Sequence, residues 1–127
     1  MLLNPVLENY LSDIESAIRR LIGAYIERYE EEVMNSDRVN IRIRIRMANE
    51  SLLEINEAVV ADSNRIRHLG YRYHLQDGKN NLIFRYDNTP HFPELSSYPH
   101  HKHLPEGVHE TEEPDILNVI KEASLVN

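Results

Sequence analysis

Apolar residues recur every three or four positions through the first quarter of the chain, and every second position through its middle. Leu7, Leu11, Ile14, Ile18, Leu21 and Tyr25 form one seam, which Tyr10, Ala17, Ile22 and Tyr29 widen. That period predicts an amphipathic helix running to about Glu32. Asn4 can cap its free amides, Pro5 suits the first helical position, and Asn35-Ser36-Asp37 closes it. The face is wide enough to pack on a sheet and still meet a second copy, so a homodimer through this helix is an open expectation.

From Val39 to Met47 the period falls to two. Val39, Ile41, Ile43, Ile45 and Met47 alternate with Asn40, Arg42, Arg44 and Arg46, the pattern of a half-buried strand. Leu52 to Val60, Arg65 to Leu75 and Asn81 to Asp87 read as three further strands, the last pair joined through Asp77-Gly78. Short connections predict an antiparallel meander, one face of which can stay wet. Asn88 to Glu113 holds Pro90, Pro93, Pro99, Pro105 and Gly107 and reads as an irregular surface excursion. A last helix should begin near Thr111 or Pro114, with Ile116, Val119, Ile120 and Ala123 on one side. The expected fold is α+β in one domain spanning 1–127. It has a long N-terminal helix, a four-stranded antiparallel β meander, a His/Pro-rich loop and a C-terminal helix.

Composition adds exclusions. No apolar run approaches the roughly 20 residues that span a bilayer, so no membrane partner is expected and the cytoplasm is the default location. There is no cysteine, which excludes disulfides and thiolate sites. The net charge is −7, but residues 38–85 carry nine basic side chains against five acidic ones, a local +4. A basic patch is a better guide to an anionic ligand than the total. Arg42, Arg44 and Arg46 on one strand face are therefore candidates for holding a phosphate backbone, unless they only pair with acidic residues of the helices.

The chemistry concentrates after the fourth strand. Five of the seven histidines fall between His91 and His109, and imidazole titrates near neutrality. His91, His100, His101 and His103 are candidate general acids and bases for a phosphodiester, a reaction that needs no metal. Arg85 and Lys102 could neutralise the phosphate, and Tyr86 could stack on a base. Asp87 could orient one imidazole or simply cap the turn at Asn88-Thr89-Pro90. Metal binding is the competing use. His101 and His103 share a side of an extended segment, and His91 or His109 could complete three ligands. His-Glu-x-x-His spacing is absent, so no metal or other cofactor is expected. His68 and His74 lie on a predicted strand face and read as structural or interface residues.

Arg85-Tyr86-Asp87-Asn88-x-Pro90-His91, then Pro99-His100-His101-Lys102-His103, an acidic linker and a short final helix resemble the TumE-type toxin family. The specific part is confined to residues 85–103. The resemblance implies a growth-inhibiting toxin held inactive by a small helix-turn-helix-type antitoxin, with RNA or the translation machinery as target. It marks Arg85, Tyr86, Asp87, His91, His100, His101 and His103 as candidates for toxicity. The residues alone leave a second class open: a noncatalytic module that binds an anion, a metal or a protein.

Overall fold

The computed structural model describes residues 2–126. Helix α1 (Pro5–Arg19) is followed by seven strands and a second helix: β1 (Tyr25–Asn35), β2 (Arg38–Arg46), β3 (Leu52–Asp62), β4 (Arg65–Gln76), β5 (Leu82–Asp87), β6 (His101–Leu104), β7 (Gly107–Glu110) and α2 (Ile116–Ser124). The strands form one antiparallel sheet in the order β1-β2-β3-β4-β5-β6-β7. This overturns the expected long helix and four-stranded meander. The chain is mostly sheet, and its two helices are short.

The helix stops where the backbone cannot continue it. Gly23 takes φ +72, and a Cβ there would stand 3.1 Å from Ala48 Cβ, so this turn calls for glycine. The next segment imitates a helix in sequence because β1 is irregular. Its register on β2 shifts between Ile26 and Arg28. Ile26, Tyr29 and Val33 therefore all pair with core positions Ile45, Ile43 and Val39. A bulge converts strand alternation into a spacing of three and four, which is why periodicity misassigned these residues. Strands β6 and β7 were missed for another reason: the prolines that suggested irregular structure, Pro99 and Pro105, lie just before β6 and in the turn after it. Only 88–100 remains irregular between β5 and β6.

One face of the sheet carries the core. Val39, Ile41, Ile43 and Ile45 of β2, Leu53, Ile55 and Val59 of β3, and Tyr73 and Leu75 of β4 pack against Leu7, Ile14 and Ile18 of α1 and against Ile116, Val119, Ile120 and Ala123 of α2. The seam of α1 is thus engaged by its own sheet. The opposite face has no helix over it and carries the alternate positions, including Arg42, Arg44, Arg46, Arg72 and Arg85.

The helix-side core contains one carboxylate. Glu57 pairs with Ile41 and Tyr71 on its neighbouring strands, and its side chain is fully buried. Tyr10 Oη donates to it at 2.6 Å, Tyr73 Oη donates as well, and His68 Nε2 lies 3.1 Å away. His68 Nδ1 faces Glu113 Oε1 at 3.0 Å. Both imidazole nitrogens therefore face carboxylates. Burial pulls His68 down, but the hydrogen bonds and charges of Glu57 and Glu113 outweigh it and leave the group above its ordinary value. The network pins α1 and the segment before α2 to β3 and β4.

Two outcomes follow. Tyr10→Phe removes a donor from a buried carboxylate and should cost about 1.5–3 kcal/mol, read as a lower urea midpoint with an unchanged slope. His68 contributes stability that is fully present below its unfolded value near 6.5 and is lost as pH rises through its raised folded value. Stability should therefore fall with rising pH from that point, and His68→Gln should remove this component of the pH profile.

Candidate functional site

Strand β5 ends with Arg85, Tyr86 and Asp87, and β6 begins with His101, Lys102 and His103. Antiparallel pairing sets Arg85 against His103, Tyr86 against Lys102 and Asp87 against His101. Paired residues share a face and successive residues alternate. The motif is therefore split by geometry. Asp87, His101, His103 and Arg85 stand on the open face, while Tyr86 and Lys102 point to the helix side. There Tyr86 Oη donates to Glu122 Oε1 at 2.7 Å and Lys102 Nζ lies 3.0 Å from Glu122 Oε2. Lys102 also sits over the Tyr86 ring, 4.6 Å from its centroid. These two residues clamp α2 to the sheet and are not brought to the histidines.

His101 is 1% exposed and Asp87 5%. His101 Nδ1 lies 3.0 Å from the Pro99 carbonyl oxygen, to which it must donate. His101 Nε2 is 2.9 Å from Asp87 Oδ1, and His103 Nε2 is 3.5 Å from Asp87 Oδ2. Asp87 Oδ1 also accepts from the Thr89 amide at 3.0 Å, so it caps the turn and faces the imidazoles together. Phe92 covers the group edge-on, its centroid 4.9 Å from His101 and 5.9 Å from His103. His103 keeps a quarter of its side chain exposed. Burial and the charges of His101, Arg85 and His91 bring His103 below its ordinary value, against the pull of Asp87.

The remaining histidines separate. His91 is exposed and sits edge-on to Phe92 at 6.4 Å. His100 turns to the helix side, where Nδ1 lies 2.8 Å from Tyr71 Oη and the ring stacks on Tyr71. His74 is on the open face. Arg85 Nε donates to its Nδ1 at 3.1 Å, so Nε2 carries the proton that faces Gln76 Oε1 at 3.0 Å. Burial, with Arg85 and Arg72 nearby, pulls His74 down.

The arginines also sort. Arg44 pairs with Glu27 at 2.9 Å and Glu54 at 3.4 Å. Arg46 pairs with Glu27 at 3.1 Å and donates to the Glu50 carbonyl. Their acidic partner Glu27 lies in the segment expected to be helical but stands on β1, so the pairing comes from a neighbouring strand and not from a helix. Arg42 and Arg72 form no ion pair among the described residues and flank a groove of about 350 Å³ that also meets Asn40, Asn56, Asn88 and Thr89. Arg72 was missed in the sequence. Its register opposite Asp87 places it beside the cluster, and the alternation of β4 was the available signal.

No helix among the described residues is long and apolar enough to cross a membrane. Comparison with the curated proteins and with the solved structures finds no match. A family model described as Toxin TumE matches residues 11–124, a span that contains every residue of the groove and of the Asp87 cluster. The chain therefore belongs to the TumE toxin family, and is the toxin component of a pair whose other member is an antitoxin.

Proposed function

We propose that this toxin is a ribonuclease that holds the RNA backbone on the open sheet face and breaks a phosphodiester beside Asp87. The observation that carries the reading is one of placement. Arg42 and Arg72 flank the groove that ends at Asn88 and Thr89, and Arg85 and the partly exposed His103 stand on the same sheet face, next to Asp87, which pairs with Arg72. Phosphate contacts from arginine supply sequence-independent affinity. The helix-type antitoxin would act by covering this face.

His103 is the group that takes the ribose 2′-hydroxyl proton. Its Nε2 faces Asp87, which leaves Nδ1 toward the open face. His101 has both nitrogens opposite oxygen acceptors and positions Asp87 instead of touching substrate. As the 2′-oxygen bonds to phosphorus, the bond from phosphorus to the 5′-oxygen breaks, and His91 returns a proton to that leaving oxygen. The products are a 2′,3′-cyclic phosphate and a 5′-hydroxyl. Arg72 and Arg85 meet the charge that develops on the nonbridging oxygens. His100, Tyr86 and Lys102, held on the other face, play no direct part.

Purified chain should cleave mixed RNA in EDTA. His103→Ala should lower the rate by about 10²–10⁴-fold with an unchanged circular dichroism spectrum, whereas Tyr86→Phe should leave it close to wild type. Full activity in His103→Ala would overturn the assignment. Tight, salt-sensitive RNA or antitoxin binding without cleavage would favour the noncatalytic module.

A further inference from the structure

We propose that Asp87, His101 and His103 also form a binding site for one divalent transition-metal ion of the zinc type, a regulatory ligand that takes His103 out of proton transfer. The regulatory half rests on the ribonuclease reading above; the binding half does not.

One carboxylate oxygen and one nitrogen from each imidazole lie within 4.8 Å of one another. Donor atoms about 2.0–2.2 Å from a common ion stand roughly 3.0–3.5 Å apart. Asp87 stands 2.9 Å from His101 Nε2 through Oδ1 and 3.5 Å from His103 Nε2 through Oδ2, so the carboxylate lies between the two imidazoles and offers an oxygen to each. A second observation is independent of these distances. His101 Nδ1 donates to the Pro99 carbonyl, which fixes the ring so that Nε2 faces the cluster. Metal-binding histidines characteristically donate their other N–H to a carbonyl or carboxylate. Two strands hold the donors, and the Phe92 ring shields them on one side.

The donor set selects the ion. Two imidazoles and one carboxylate suit zinc, nickel or copper, whereas magnesium and calcium require oxygen ligands. Arg72, opposite Asp87 in β4, and Arg85, opposite His103 in β6, add positive charge at the site. A hard ion held by charge alone is disfavoured there, and affinity must come from the imidazoles. The sequence spacing concealed this set because its carboxylate is fourteen residues before His101 and reaches it only by strand pairing.

Occupancy has a defined proton balance. An ion at His101 Nε2 takes that nitrogen's lone pair, so any proton carried there is released to solvent. On His103 the ion takes the Nε2 lone pair, and the proton moves to Nδ1, the atom assigned to accept from the 2′-hydroxyl. The base is then blocked without any change of fold.

The untagged chain, stripped with chelator and dialysed, should bind one Co²⁺ by its visible absorption and release it to Zn²⁺, with one Zn²⁺ per chain by calorimetry. His103→Gln and Asp87→Asn, checked for folding by circular dichroism, should each weaken binding at least about tenfold. No stoichiometric binding, or binding that both variants retain, overturns the site. Zn²⁺ at saturation should suppress RNA cleavage at least about tenfold, with EDTA restoring it. Cleavage that ignores the bound ion or requires it overturns the regulatory role. A chain that never cleaves RNA but binds Zn²⁺ through these residues fails the ribonuclease reading and leaves the site standing.

Discussion

Antiparallel register across β4, β5 and β6 determines which charges of this protein meet. Arg72 faces Asp87, Asp87 faces His101, and Arg85 stands between His74 and His103. A slip of one residue in any pairing would send the whole set to the opposite face. The hydrophobic side prevents that slip. Tyr73 and Leu75 pair with Tyr86 and Phe84 inside the core, and exchanging them with Arg72 and His74 would bury charge and expose aromatic surface. The polar arrangement on the open face is thus enforced by packing on the covered one.

The two faces handle ionisable groups in different ways. On the helix side, Glu57 has three donors around one carboxylate, and His68 passes the interaction to Glu113. Such a network is stable because each buried polar group has a partner. Tyr86, Lys102 and Glu122 repeat the principle at the far edge. On the open face, Asp87 faces two imidazoles and the Thr89 amide, and one of those imidazoles, His103, stays partly exposed where the whole Glu57 side chain is enclosed.

How much of this was legible in the sequence depends on whether a feature is local. The alternation in Arg42, Arg44 and Arg46 is local, and the strand it indicates is β2. The run of histidines is local too, and three of its members, His91, His101 and His103, gather around Phe92. What the sequence concealed needs pairing across strands. Consecutive histidines 100 and 101 end on opposite faces because a strand begins between them, so four imidazoles that look equivalent become a base candidate, a positioning group, a partner of Tyr71 and an exposed residue. Glu27 was hidden by the bulge that gave β1 a helical spacing. Asp87 was visible both as a turn residue and as a partner for an imidazole; it does cap Thr89, and which imidazoles it faces, His101 and His103, is fixed only by strand pairing.

That hidden Glu27 bears on function. With Glu27 holding Arg44 and Arg46, one end of the basic strand is neutralised, whereas Arg42 and Arg72 beside the groove form no ion pair among the described residues. A uniformly basic sheet would bind any polyanion at any point along it. On the ribonuclease reading, a sheet left basic beside Asp87 would instead guide a phosphate backbone toward the partly exposed His103. The acidic residues of β1 therefore act on the site from the other end of the sheet. A chain with a net charge of −7 can thus still present a local basic surface.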